Sequence, residues 1–298
     1  MSGKKHKAQQ ILHFGEILWD QFPDYKRAGG SPFNVSIHLH YLKHHSYLIS
    51  AVGKDKDGDD LLSLIDQSKA SSRFVYRNDR PTGKVTVHIN EHNEPSYTIN
   101  ENVAWDFIPV DDDLLKFAGS ANAFSFATLS QRSPKNRESL SAILETLPKS
   151  ALRFVDLNLR PPFVNDQVIS FSFHQSDFVK FNDAEWKQIS HSFQMSAPQH
   201  FLETFNLTGI IITKGAEGCS FFHRNGTIIH EPAANINKSS TGDFVGVGDA
   251  FWACFIHHTL QKSDWKIALQ KSNTYACWVA EQKGGIPDPD ESILKEVI

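Results

Sequence analysis

The chain has 298 residues, a hydrophobic fraction of 40%, a charged fraction of 21% and a formal net charge of −4. That length allows one large domain with at most a small accessory piece, and the composition is ordinary for a soluble globular protein. The mildly acidic balance offers no electrostatic footprint for nucleic acid or for an anionic membrane surface.

Residues 1–10 are basic and polar and lead into no long apolar run. They read as a frayed tail rather than a secretory signal, and no later segment looks able to span a bilayer. From there, short apolar or β-branched runs alternate with longer stretches of helical period. The runs predict strands over 11–17, 46–52, 121–127, 153–158, 178–182 and 209–213. The helical stretches include 33–42, 59–67, 134–147, 249–260 and 265–283. Such alternation argues for a mostly parallel sheet flanked by helices, where ligand-contacting residues collect at the carboxyl ends of strands. One region departs from it. Segments 85–89 and 97–100 alternate like exposed strands around a turn-rich 90–95, and with 18–27 they can form a small sheet beside the main one. Beside a ligand cleft such a sheet is a lid; elsewhere it is an edge hairpin.

Polar residues gather where the strands end. Gly29-Gly30-Ser31-Pro32-Phe33-Asn34 precedes a helix. The glycines let backbone approach a ligand, Asp20 and Asn34 suit sugar hydroxyls, and simple capping explains the same residues. Asp156, Asn158 and Arg160 follow one another on one face as their strand finishes, and Arg160 has the fork geometry for phosphate oxygens. Asn182 and Glu185 lie three apart at a helix start. They can hold Mg²⁺ directly or through water, and the same spacing is a capping box. Thr213-Lys214-Gly215-Ala216-Glu217-Gly218 ends another strand, either as a phosphate-bearing turn or as a tight turn into the next strand.

The most informative stretch is Gly242-Asp243-Phe244-Val245-Gly246-Val247-Gly248-Asp249-Ala250-Phe251. A glycine-rich turn opens into an almost wholly apolar helix, and the free amides of such a start bind anions. Asp249 beside bound phosphates would act as a base toward an attacking hydroxyl, so the chemistry read is phosphoryl transfer to an alcohol. The histidines, among them His38, His40, His44, His45, His257 and His258, lack metal-site spacing and read mostly as surface or partly packed. Cys219, Cys254 and Cys277 are scattered, two of them in apolar surroundings, which suits a reducing, cytoplasmic compartment.

Together these motifs resemble the phosphofructokinase-B, ribokinase-like family of sugar kinases over residues 11–287. The family signature Asp-Thr-x-Gly-x-Gly-Asp-x-Phe corresponds to 243–251, its di-glycine to Gly29-Gly30 and its Asn-x-x-Glu to Asn182 and Glu185. Within the family the chain is most similar to the bacterial fructokinase branch, through Gly15-Glu16-Ile17-Leu18-Trp19-Asp20, Glu101-Asn102-Val103-Ala104-Trp105-Asp106, Ser130-Gln131-Arg132 and Asp156-Leu157-Asn158-Leu159-Arg160-Pro161-Pro162-Phe163. The resemblance implies a doubly wound α/β fold over 1–298, with a β lid drawn from near 16–30 and 82–101. It implies ATP, Mg²⁺ and a monovalent cation, K⁺, near Asp243. It makes Asp249 the base, the 246–248 loop (Gly246, Val247, Gly248) an anion hole and Arg160 a partner of the transferring phosphate. Asp20, Gly29, Gly30 and Asn34 would hold the sugar. Lys180, Thr213, Gly215, Gly218 and Asn273 would border the nucleotide. The implied reaction is phosphorylation of D-fructose to fructose 6-phosphate. Ribose, a keto-deoxy sugar acid, a nucleoside, or an idle sugar-binding regulator on the same scaffold are the alternatives. Two residues depart from the family pattern: Phe244 replaces a threonine, which puts the cation site in question, and Phe33 replaces a small residue. Free lid edges allow a homodimer.

Overall fold

The computed structural model describes residues 7–89, 95–235 and 242–298. Most of the predicted tail (1–6) and of the predicted turn (90–94) lie outside the described residues. In chain order the first elements are β1 (Gln10–Phe14), β2 (Leu18–Gln21), β3 (Lys26–Gly29), α1 (Ser31–Tyr41), β4 (His45–Gly53), α2 (Lys56–Gln67) and β5 (Val75–Asn78). Then come β6 (Gly83–Ile89), β7 (Pro95–Ile99), α3 (Asp112–Ala118), β8 (Ala123–Ala127), α4 (Pro134–Thr146), β9 (Leu152–Asp156), α5 (Asp166–His174) and β10 (Phe178–Asn182). The last are α6 (Asp183–Ser192), α7 (Pro198–Thr204), β11 (Gly209–Thr213), β12 (Cys219–His223), β13 (Ile228–Glu231), α8 (Val247–Leu260), α9 (Trp265–Ala280) and α10 (Glu291–Val297).

Nine strands form the large sheet in the order β13-β12-β11-β10-β9-β8-β1-β4-β5, and four form a second sheet in the order β3-β2-β6-β7. The pairings from β5 to β11 are parallel, and β12 and β13 add an antiparallel edge. Strand β8, Ala-Phe-Ser-Phe-Ala, is buried at every position, as a parallel strand covered on both faces must be. The two-residue period sorts the core. On β1, Ile11 belongs to the core layer that contains Val35, Leu39 and the α8 and α9 side chains, whereas Leu12 and Phe14 belong to the opposite layer, which contains Ile143 of α4, Phe173 of α5 and Phe201 of α7. Helix α8 is buried from Ala250 to Thr259, against α1 and α9, which explains its nearly unbroken apolar sequence.

The mostly parallel sheet flanked by helices and the small separate sheet match the sequence expectation. Segment 18–27 pairs with the 83–99 hairpin through β2 and β6. The extents differ where local chemistry intervenes. Helix α2 starts at Lys56 because Asp55 caps it, accepting from the Gly58 amide. Strand β9 stops at Asp156, and Asn158 already has φ 41°. The Thr213–Gly218 turn does lead into a further strand, β12, and β13 extends this antiparallel edge beyond the predicted strands.

The histidine reading needs correction. His38, His44, His257 and His258 are buried. His38 donates from Nε2 to the Gly285 carbonyl (2.8 Å) and accepts from the Tyr275 hydroxyl at Nδ1 (3.0 Å). A neutral imidazole offers one donor and one acceptor, so it can be fully satisfied inside a core. Burial then pushes the His38 pKa down to about 4. Among the described residues, no helix is long and apolar enough to cross a membrane.

Candidate active site

Strand order reverses between β1 and β8: from β1 the chain runs outward to β4 and β5, and from β8 outward to β11. In open α/β sheets a crevice forms at the carboxyl ends beside such a reversal. Two cavities open here. One, about 790 Å³, is lined by the end of β11, Ala233, Ala234 and one side of α9. The other, about 660 Å³, lies between the end of β1 and the small sheet, which contributes Leu18, Asp20, Val85 and Ile99. They share Asn182, Thr213, Phe244, Val247 and Gly248, so they meet at the N-terminus of α8.

Gly246 is the N-cap of α8, with φ 72°. A Cβ there would come within 2.5 Å of Gly285, so only glycine closes this turn. The amides that follow have no acceptor within the helix and face the seam between the cavities. Asp249, in the first turn, opens into the small-sheet side. Its Oδ1 accepts from the Ser31 hydroxyl (2.6 Å) and its Oδ2 from Asn34 Nδ2 (2.8 Å). Both donors sit in the first turn of α1, so two helix starts face each other across this carboxylate. Burial pushes its pKa up to about 6. Ser31 opposes the rise, Asp156 adds to it, and Asn34 and Lys180 hold it back.

Two further acids line the same cavity. Burial raises Asp20 to about 6, with Arg160 opposing and Asp249 adding. Glu16, just past β1, is pushed up to about 7, chiefly by burial, and its Oε2 has no hydrogen-bond partner among the described residues. Gly29 is pressed against Asp20: a Cβ there would lie 2.5 Å from Oδ2. Gly30 lines the cavity itself.

Beneath the α8 loop, buried Lys180 pairs with Asp156 (2.6 Å). Burial disfavours the ammonium, but Asp156, Glu185 and Asp249 outweigh it and hold the pKa above the usual range. Asp156, Asn158 and Arg160 all reach the small-sheet cavity, although only Asp156 is still on the strand. On the other side, Thr213, Gly215 and Gly218 line the larger cavity together with Asn273, whose Nδ2 donates to the Pro232 carbonyl (2.9 Å). Lys180, expected at the nucleotide, opens instead into the small-sheet cavity.

Comparison with known proteins identifies the family and the fold. The profile described as "pfkB family carbohydrate kinase" matches residues 9–292. The chain belongs to the PfkB family of carbohydrate kinases. A fructokinase of Vibrio alginolyticus is 26% identical over 302 residues, covering 93% of this chain and 94% of the relative. A solved fructokinase of Xylella fastidiosa with bound ATP superposes with a TM-score of 0.84 at 18% identity, over 97% of both chains. A fructokinase double mutant of Vibrio cholerae O395, solved with fructose, ADP and a potassium ion, superposes with a TM-score of 0.80 at 18% identity, over 99% of both chains.

The two cation expectations can be tested on the donor sets of this PfkB kinase. Asn182 and Glu185 form a capping box: Asn182 Oδ1 accepts from the Glu185 amide (2.9 Å) and Glu185 Oε2 from the Asn182 amide (2.8 Å). Glu185 Oε1 also accepts from the Leu159 amide (2.8 Å), and Glu185 lines neither cavity. The pair therefore supports backbone and does not fit as a set of direct Mg²⁺ ligands, although Asn182 lines both cavities. Asp243 is engaged as well. It forms an ion pair with Arg27 of β3 and accepts from the amides of Val245 (3.3 Å) and Gly284 (3.2 Å). A K⁺ ion against this carboxylate would meet a guanidinium, so the donor set does not fit one.

Three contributors went unassigned in the sequence: Ser31, Glu16 and Arg27. Ser31 was visible as a helix start. Glu16 was visible only as part of Gly15-Glu16, and Arg27 carried no local signal.

Proposed function

We propose that this PfkB kinase transfers the γ-phosphoryl group of ATP to a primary hydroxyl of a neutral sugar, with D-fructose, giving fructose 6-phosphate, as the first acceptor. The observation that carries this reading is Asp249 on the small-sheet side of the α8 start, directly after the Val247-Gly248 seam where a cavity suited to a nucleotide meets one lined by hydroxyl-binding groups. The ATP-bound relative and the fructose-bound relative support it.

Asp249 accepts the hydroxyl proton as the oxygen attacks phosphorus. A pKa near 6 leaves it ionised at neutral pH and still basic enough to act. Ser31 and Asn34 fix its two oxygens, so the lone pair used for the proton is oriented beforehand. The amides of Val247 and Gly248, with Lys180 beneath and Arg160 across the cleft, face the negative charge on the transferring group. Asp20 and the Gly29-Gly30 backbone orient the sugar. Thr213, Gly215, Gly218 and Asn273 border the nucleotide. A Mg²⁺ that arrives with ATP would neutralise phosphate charge as part of the substrate rather than as an ion bound directly by Asn182 and Glu185. The small sheet acts as a lid that excludes water from the transfer. Its edge strands β3 and β7 offer a second copy a surface for pairing.

Glu16, Asp20, Asp156 and Asp249 outnumber the two cations of the acceptor cavity, Arg160 and Lys180, and Lys180 is already paired with Asp156. That lining favours an uncharged polyol over a sugar acid. The test is a panel of fructose, ribose, a keto-deoxy sugar acid and a nucleoside with ADP release as the readout. The expected result is fastest turnover with fructose. Faster turnover of the sugar acid overturns the acceptor class, and absence of sugar-dependent ADP across the panel overturns the kinase reading.

A further inference from the structure

We propose that Arg27 is a positioning residue that takes over, from the lid side, the work of a monovalent cation at the anion loop, and that this makes the enzyme independent of K⁺. The inference rests on the kinase reading above. Asp243 joins three parts of the molecule. It accepts from the amide of Val245 in the loop, from the amide of Gly284 beyond α9, and from the guanidinium of Arg27 on the small sheet.

Arg27 is itself held in place. Phe22 and Tyr25 in the β2–β3 turn stack with ring centroids 4.5 Å apart, and the guanidinium lies 4.9 Å from the Tyr25 centroid and 5.9 Å from that of Phe22. Such a cation–π seat and a carboxylate partner suit guanidinium better than a hydrated point charge. Arg27 is also the ladder partner of Asp20, so one residue pairs through its backbone with the strand that presents the acceptor-binding carboxylate and through its side chain with the loop that receives the phosphate. Phe244, next to Asp243, is exposed in the left-handed region at φ 59°, where it supplies bulk and no hydroxyl ligand. The positive charge at this loop is therefore covalently part of the chain and arrives with the small sheet.

The experiment exchanges KCl for tetramethylammonium chloride at matched ionic strength. It reads turnover, and independently the rise in melting temperature produced by ADP. For the parent, turnover should change by less than about twofold and the ADP-induced rise should be the same in both salts. Arg27→Ala should lower kcat by about tenfold with little change in the KM for ATP, and K⁺ or methylguanidinium should restore part of the loss. Activation of the parent by K⁺ of about fivefold or more, or an ADP-induced rise that needs K⁺, overturns the proposal. The parent alone decides the matter should the variant fail to fold. Because the melting readout needs no acceptor, it stands even if the acceptor panel fails.

Discussion

The two cavities that meet at α8 are built on different physics. The larger one is walled by Ala184, Ala216, Ala233, Ala234, Ala276 and Ala280, with glycine turns and few charges. It offers shape, backbone donors and a dry surface. The smaller one concentrates Glu16, Asp20, Asp156, Asp249, Arg160 and Lys180 in about 660 Å³. It offers charge, and charge in a confined space is sensitive to every partner. On the proposed function this is a division of labour: alanine-lined walls would set how well the nucleotide is held, while the ionic side would set whether the proton and the phosphoryl group move. Substitutions on the two sides should therefore fall into different kinetic classes.

The sharpest way to break this division is Asp249→Asn. It should lower kcat by about a hundredfold or more while leaving the binding of sugar and ATP largely intact. The same change should stabilise the fold above neutral pH. A carboxyl whose pKa is raised to about 6 in the folded state binds more protons there than in the unfolded chain, so its contribution is most favourable at low pH and is lost as pH rises through about 6. Removing the ionisation should gain about 1–3 kcal/mol at pH 8, read by denaturant unfolding. Parent-like turnover would remove Asp249 from the chemistry, and unchanged stability at pH 8 would show that its carboxylate is not desolvated as the geometry requires.

The next effect is on pH dependence. Proton acceptance needs ionised Asp249, so kcat should rise with pH through about 6 and level off above it, falling about tenfold per pH unit well below. Ser31→Ala removes a hydrogen bond that favours the ionised form, and the acid limb should move to higher pH. A limb that stays in place would mean that Ser31 contributes only to the start of α1. Stability runs the opposite way: Glu16, Asp20 and Asp249 are all raised, so the fold should weaken between about pH 4 and 7 as activity appears.

What was legible in the sequence follows from how locally each feature is encoded. The buried strands β10 and β11 announce themselves as short apolar runs, and their predicted bounds coincide with those observed. The α8 loop and Asp249 are contiguous in sequence, so glycine, glycine and aspartate could be read as one device. Asn182 and Glu185 carried two readings that spacing cannot separate, and the Leu159 amide that occupies Glu185 comes from 26 residues away. The Arg27–Asp243 pair spans 216 residues and leaves no periodic trace. Buried histidines defeat a polar–apolar code because imidazole is polar in the alphabet yet can be satisfied inside the core, as His38 is by Tyr275 and Gly285. Glu16 escaped because its neighbours, including Asp249 and Arg160, converge only through the sheet.

The smallest effect expected is on the alanine-walled side, and it sharpens the comparison most. Asn273 is a buried residue of α9 whose Nδ2 holds the Pro232 carbonyl and so ties the 232–235 wall of the nucleotide cavity to the helix. Asn273→Ala leaves that carbonyl without its donor and loosens the wall, at a stability loss of about 1 kcal/mol. Nothing on the ionic side changes: Asp249, Ser31, Asn34 and Lys180 keep their partners. The KM for ATP should rise about threefold to tenfold, with kcat at saturating ATP and the position of the acid limb near those of the parent. If kcat falls together with the rise in KM, the walls of the two cavities are coupled through α8 and α9, which pack against each other along their length. In that event the division between holding the nucleotide and moving the phosphoryl group would fail at the helix that joins them.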